Sequence, residues 1–297
     1  MSGTLYLVAT PIGNLEDITF RAIRILKEVD MILAEDTRKT IKLLNHYEIQ
    51  KPMISFYRHN EGIKADYVLS LLQEGKNLAL VSDAGTPAIS DPGEDLVRLL
   101  IENDISVVPI PGSVACIQAL ICSGFDTTKF AFEGFLSINK RTRKERLEIL
   151  KNEERTMLFY EAPHKLKRTL DDFKQAFGGE RRIVLAREIT KIHEEFLRFT
   201  IDDAIAYYYE NDVKGEFVIV LEGAPKKEEE VTESVSELME MYLSEGYDKK
   251  EAMKMVAKKK GISKSEVYKE LLDWEKEGTE KIQKRGRFSF LKKLCKK

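Results

Sequence analysis

The chain has 297 residues, 43% of them hydrophobic and 33% charged, with a formal net charge of -2. That is long enough for two domains of ordinary size with filled cores, and it argues for a soluble globular protein. No apolar run nears the roughly 18 residues of a membrane span, and the three cysteines, Cys116, Cys122 and Cys295, make neither a disulfide framework nor a metal set.

In chain order, Met1-Ser2-Gly3-Thr4 leads straight into an apolar strand, Leu5 to Val8, rather than a signal peptide, so a cytoplasmic protein is expected. A tight turn follows at Thr10-Pro11-Ile12-Gly13-Asn14-Leu15, then a helix from Thr19 to Glu28 with Ala22, Ile23, Leu26 and Val29 on one face. The strand Met31 to Ala34 runs into Glu35-Asp36-Thr37-Arg38, which is either a site or the capped start of the helix through Leu44. Ile54 to Phe56 reads as a further strand and Ile63 to Leu72 as a helix.

The stretch from Leu78 to Gly112 holds two strand-loop-helix units. Leu78 to Val81 is a buried strand that stops at Ser82-Asp83-Ala84-Gly85-Thr86-Pro87, small and polar residues that let a backbone approach a ligand. The next helix is expected to be capped by Asp91, with Pro92 in its first position and Glu94 completing a capping box. A second strand, Ile105 to Ile110, ends in Pro111-Gly112-Ser113 before a helix from Val114 to Ile121, in which Cys116 and Cys122 are expected as core thiols. Such repeats imply parallel strands joined by right-handed crossovers, with ligands outside the carboxyl ends of the strands.

Beyond Ser123-Gly124-Phe125-Asp126 the alternation resumes. Strands are expected at Phe130 to Leu136, Thr156 to Tyr160, Ile183 to Arg187, Phe196 to Phe199 and Phe217 to Leu221, and helices at Arg141 to Leu150, after Pro163 to about Phe177, and from Asp202 to Tyr209. The pattern gives an α/β fold of two consecutive domains, residues 1–123 and 124–224, the second with a mixed sheet. A linker, 225–230, precedes a helical region, 231–297, with helices at Val231 to Leu243, Asp248 to Lys260 and Lys264 to Trp274. From Lys249 to Lys297 there are 17 Lys and Arg against 7 Asp and Glu, so this end carries about +10 and the rest about -12. It is a candidate nucleic-acid surface, as is the cationic and aromatic run Arg285 to Lys293, or else a solvated tail.

Dinucleotide, P-loop, zincin and nucleophile-elbow signatures are absent, and the four histidines, His46, His59, His164 and His193, are scattered singly. Composition and spacing therefore indicate a ligand-binding α/β protein with a basic end and do not indicate a reaction.

A resemblance goes further. Thr10-Pro-Ile-Gly-Asn-Leu15, Ala34-Glu-Asp-Thr-Arg38, Val81-Ser-Asp-Ala-Gly-Thr-Pro87 with Ser90-Asp-Pro-Gly93, Phe132-Glu-Gly-Phe-Leu136, Phe159-Tyr-Glu-Ala-Pro-His164 and Ala186-Arg-Glu-Ile-Thr-Lys191 occur in order between Gly3 and Glu222. Together they resemble the bacterial ribosomal RNA small subunit methyltransferase I family of the tetrapyrrole methylase superfamily. The resemblance implies a homodimer that uses S-adenosylmethionine, folded into a cleft between the two α/β domains, to methylate a cytidine 2'-hydroxyl in the decoding region of 16S ribosomal RNA, free or in the small ribosomal subunit. From the residues themselves, no metal and no membrane partner is expected. Cofactor contacts are expected from Pro11, Asp83, Ala84, Gly85, Thr86, Ser113, Val114, Ala115, Tyr160 and Ala186. One departure is Pro111-Gly-Ser-Val-Ala115, where the family usually has Pro-Gly-Pro-Ser-Ala, so Val114 replaces a serine.

The sulfonium is already activated, so the enzyme has chiefly to align the ribose oxygen and exclude water, with a base or cation to help the hydroxyl lose its proton. Glu35, Asp36, Glu161, Glu188 and Lys191 are candidates for that role, with Arg38 and Arg187 on RNA phosphates. The same residues also suit an interdomain ion-pair network. A superfamily relative methylating a tetrapyrrole or other small substrate, and a non-catalytic nucleic-acid-binding protein with a degenerate cleft, remain the alternatives.

Overall fold

The computed structural model describes residues 2–58, 60–225 and 233–273. They fall into two compact units that divide after Pro225.

The first unit carries two five-stranded sheets. Strands β1 (Thr4–Val8), β2 (Met31–Ala34), β3 (Met53–Ser55), β4 (Leu78–Val81) and β5 (Ser106–Ile110) form a wholly parallel sheet in the order β3-β2-β4-β1-β5. A parallel sheet must be covered on both faces, and the alternation of β4 shows how: Leu78 and Leu80 enter one core with Val68, Leu72, Leu96 and Leu100, while Ala79 and Val81 enter the other with Ala22, Leu26 and Leu44. Helices α3 (Glu61–Gln73) and α4 (Glu94–Glu102) cover the first face, and α1 (Phe20–Glu28) and α2 (Thr37–His46) the second.

The second sheet is mixed. It runs β6 (Phe130–Phe135), β7 (Thr156–Glu161), β10 (Phe217–Leu221), β8 (Arg182–Arg187), β9 (Glu195–Thr200), with β6 and β7 parallel and the remaining pairs antiparallel. One face packs on α6 (Lys140–Leu150), α7 (Pro163–Phe177) and α8 (Ile201–Glu210). The other is covered by α5 (Ala115–Ile121), whose Cys116, Ala119 and Leu120 pack on Leu158, Val184, Val218 and Val220. A helix that follows the last strand of the first sheet thus closes the core of the second, which makes the two halves one body.

The second unit has its own small core, in which Val235, Leu238 and Met239 of α9 (Val235–Ser244) meet Ala252 and Val256 of α10 (Lys249–Lys260) and Val267 of the helical residues 264–273. Asp248 caps α10 through Glu251 N, and Gly261 ends it in the left-handed region. Residues 226–230 of the expected linker, 225–230, the residues 231–232 and 274 of the expected helices, Cys295 and the Arg285 to Lys293 run lie outside the described residues; α9 begins at Val235, not Val231.

Several local expectations are corrected. The third strand is Met53–Ser55 and α3 begins at Glu61, two residues before Ile63. Of the two cysteines expected in the core, Cys116 is buried and Cys122 is exposed. Asp91 does not cap α4, which starts at Glu94 rather than Pro92, so there is no capping box. Its first amides are capped from afar: the buried Glu61 carboxylate accepts from Gly93 N at 3.1 Å and Leu96 N at 3.2 Å. Removing that acceptor leaves two buried donors unpaired, so Glu61→Ala is expected to cost about 1–3 kcal/mol. The check is a urea melt, in which the midpoint falls at unchanged slope; an unchanged midpoint would show that the cap is dispensable.

Candidate active site

The loops after the parallel strands are knitted together by backbone. Thr10 N donates to Gly85 O at 2.8 Å and Gly85 N to Thr10 O at 3.1 Å, which joins the turn after β1 to the loop after β4. Gly85 has φ +86°, a region that L side chains avoid, and a Cβ there would lie 3.2 Å from Ile12. Thr86 Oγ1 donates to Ser113 O at 3.1 Å and so adds the loop after β5. Asp83 and the end of β2 are tied twice: Asp36 N donates to Asp83 Oδ1 at 3.1 Å, and Asp83 N to Glu35 Oε2 at 3.3 Å.

Between these loops and the second sheet lies a cavity of about 570 Å³. Its one wall is Ile12, Glu35, the 83–86 and 89–91 segments, Val114 and Ala115; the other is Phe135, Tyr160 to His164, Ala186, Glu188, Ile189, Lys191 and Glu216 to Val218. Of the cofactor set expected from sequence, Asp83, Ala84, Gly85, Thr86, Val114, Ala115, Tyr160 and Ala186 therefore meet here. Pro11 lines an adjoining hollow with Lys39 and Lys42, and Ser113 another with Gln118 and Thr190. Val114 borders the cavity with an apolar side chain where a serine was the family expectation, and Ser113 offers its carbonyl to Thr86.

The expected catalytic set divides. Glu161, Glu188 and Lys191 line the cavity, while Asp36, Arg38 and Arg187 do not. Asp36 caps α2 and pairs with Arg38, whose guanidinium holds its carboxyl down at about 2; the Arg38 side chain is 88% exposed. Arg187 is held by Lys214 O and Glu195 along the sheet. Glu161 is buried and engaged, accepting from Ala162 N and from Thr169, whose hydroxyl in turn accepts from the buried Arg143. Lys191 Nζ lies 2.8 Å from both Glu188 and Glu216. Burial acts against its charge, but those carboxylates keep the ammonium above its ordinary value. Burial would raise Glu188, and the Lys191 ammonium and Glu216 N–H outweigh it and hold it low.

The opposite wall is crowded with negative charge. Burial raises Glu35, and burial followed by the Glu35 charge lifts Asp91 to about 6. Tyr160 is raised by burial and by its hydrogen bond with the Cys116 thiol. Backbone strain borders the cavity on both sides, with Ala88 at φ +66°, Ser90 at +64°, Glu188 at +51° and Thr190 at +69°. Such conformations cost about 1–3 kcal/mol each and cluster where function requires them. Sequence reasoning missed Asp91, Phe135 and Glu216 as lining residues. The Ser90-Asp-Pro-Gly93 run is visible in the sequence, but its local pattern places the acid at a helix start. Among the described residues no His, Cys, Asp and Glu group is arranged to hold a metal ion, and no helix is long and apolar enough to cross a membrane.

Comparison with known proteins agrees with this geometry. The family model Tetrapyrrole (Corrin/Porphyrin) Methylases matches residues 4–205. The chain is 49% identical over 271 residues to ribosomal RNA small subunit methyltransferase I of Halalkalibacterium halodurans, covering 90% of this chain and 93% of that protein. It is 47% identical over 278 residues to the protein of the same name from Synechocystis sp., covering 93% of this chain and 100% of the relative. In fold it is similar to a uroporphyrin-III C-methyltransferase from Thermus thermophilus solved with S-adenosyl homocysteine, with a TM-score of 0.52 and 14% identity over 73% of this chain and 97% of that one. The chain belongs to the tetrapyrrole methylase family and, within it, to the ribosomal RNA small subunit methyltransferase I family.

Proposed function

We propose that this protein methylates the ribose 2'-hydroxyl of a cytidine in the decoding region of 16S ribosomal RNA, with S-adenosylmethionine as methyl donor and as a homodimer. The observation that carries this reading is the near-half identity, along nine-tenths of the chain, to relatives named for the small-subunit RNA. The cavity fits the donor in three respects. Its volume is that of a small-molecule site, the Gly85 cradle leaves backbone accessible where a Cβ would crowd Ile12, and its carboxylates suit a cationic ligand.

S-adenosylmethionine supplies an activated methyl group on a positively charged sulfur. The chain supplies position and charge. The loops after β1, β4 and β5 are cross-linked by hydrogen bonds, so the donor wall is organised before ligand arrives and little reorganisation is required. Val114, Ala115, Ile189 and Val218 keep part of the lining apolar and displace water. On this reading the Lys191 ammonium, set between Glu188 and Glu216 on the cavity lining, orients a ribose or phosphate oxygen. RNA phosphates are met by exposed cations outside the cavity: Arg38 and Arg141 in the first unit, and Lys249, Lys250, Lys254, Lys258, Lys264 and Lys269 in the second.

The direct test is methyl transfer from labelled S-adenosylmethionine to small ribosomal subunits that lack the modification, followed by nuclease digestion. Label in 2'-O-methylcytidine from the decoding region is expected. Label in a base, in another nucleotide, or in none would refute the assignment.

The second unit has a separable role on this reading. A chain ending at Pro225 retains the whole cavity and is expected to bind S-adenosylmethionine as tightly as the full chain. Every RNA phosphate that the second unit would neutralise releases about one counterion, so without that unit RNA binding should weaken and its log-log salt slope flatten. Titrations across a salt series measure both. An unchanged slope would move the docking surface to the cations of the first unit.

A further inference from the structure

Sequence pattern assigns Asp91 to the start of a helix, and the structure releases it from that duty. Glu61 reaches across from α3 to cap α4, and Asp91 stands two residues before the helix cap, Gly93, on the wall of the cavity. The turn that presents it is strained: Ala88, Ser90 and Gly93 all have positive φ, and a Cβ on Gly93 would meet Leu80 at 2.6 Å. It is also braced from the second sheet. The register shift of β6 places Gly134 so that a Cβ there would lie 3.2 Å from Ser90 Oγ. A turn held in unfavourable conformations by both halves of the protein fixes one side chain in the cavity.

The other carboxylates of the cavity are already engaged. Glu161 accepts from Thr169 and a backbone amide, Glu188 and Glu216 share Lys191, and Asp83 holds Lys39 at 2.7 Å and Asp36 N. Glu35 accepts from Asp83 N. Around Asp91 stand Glu35 from the end of β2, Arg58 after β3, Ser82 and Asp83 after β4, and Tyr160 from β7, and the Ser82 hydroxyl donates to the Ala84 and Gly85 carbonyls. Among the described residues no lysine or arginine nitrogen makes an ion pair with its carboxylate.

We propose that Asp91 is the general base of the transfer: its carboxylate takes the proton of the ribose hydroxyl as that oxygen bonds to the methyl carbon, and the carbon–sulfur bond breaks with its electron pair remaining on sulfur, which leaves as a neutral thioether. The inference rests on the 2'-hydroxyl reading above and deepens it. A base is most effective when its pKa lies close to the working pH. Burial and the neighbouring Glu35 charge put Asp91 at about 6, whereas Glu188 is held low and the Tyr160 phenol is pushed up. Asp91 is thus ionised at neutral pH and still a stronger base than an ordinary carboxylate.

The test is the single-turnover rate against pH on the full chain, with saturating cofactor and small subunits. The wild-type rate is expected to fall tenfold per pH unit below about 6. Asp91→Asn should lose that acid limb and about 100-fold or more in rate at neutral pH, with calorimetric cofactor affinity within about threefold. Glu35→Gln should move the limb to lower pH, because it removes a charge that raises Asp91. Folding provides a control with a defined sign. A carboxyl raised in the native state loses stability as pH climbs from its ordinary value through the raised one, so Asp91→Asn should melt at or above the wild-type temperature at neutral pH. A variant that keeps the wild-type rate and limb, or loses rate only through cofactor affinity, overturns the role of Asp91 and leaves the functional reading intact. A wild-type chain that forms no 2'-O-methylcytidine overturns both.

Discussion

The feature on which the rest of the molecule depends is the lacing of four loops at the carboxyl ends of the parallel strands. The reciprocal Thr10 and Gly85 hydrogen bonds, the Thr86 to Ser113 bond and the Asp36, Asp83 and Glu35 chain turn separate loops into one wall. Only a residue free to adopt φ +86° lets the backbone at Gly85 come that close to Thr10. The same lacing crowds Glu35, Asp83 and Asp91 together in a partly desolvated place, and the raised pKa values of Glu35 and Asp91 are the electrostatic consequence. A wall that disfavours its own charges is one on which a cation is worth most.

The opposite wall stays in register because α5 is shared. It begins at the loop that Thr86 holds and packs its Cys116, Ala119 and Leu120 on the second sheet, where Leu158, Val184 and Val220 belong to the strands that carry Tyr160, Ala186 and Val218. Arg198 adds a bond from β9 to Cys122 O at 2.6 Å. The two walls are therefore connected through a packed core rather than a hinge, and the spacing across the cavity follows from side-chain volumes. The strained residues on its two sides, Ser90 and Glu188 among them, are held by this frame.

Much of this was legible in the residues. Short uncharged runs such as Leu78 to Val81, bounded by small polar loops, mark buried parallel strands, and the order of the motifs from Thr10 to Lys191 carries the family. What sequence could not show were partners far apart in the chain. Asp91-Pro-Gly-Glu94 has the local pattern of a capped helix start, yet Glu61, some thirty residues earlier, fills that role and changes what Asp91 is free to do. Asp36 and Arg38 look like site residues by type, and their neighbours show them paired with each other outside the cavity. Cys122 follows an apolar run but ends α5 on its exposed side, because a helix of seven residues buries only one face.

The central claim is that an anionic wall in this cavity receives a cationic methyl donor. It is tested most directly by calorimetric titration of S-adenosylmethionine and of its product S-adenosylhomocysteine from about pH 5 to about pH 8. The two ligands share their titrating groups and differ in the methyl group and the charge on sulfur. An anionic wall requires the ratio of affinities to move toward the sulfonium as pH rises through the range in which Glu35 and Asp91 lose their protons, with Asp91 alone accounting for no more than about threefold of the change. A ratio that stays constant across that range would contradict it.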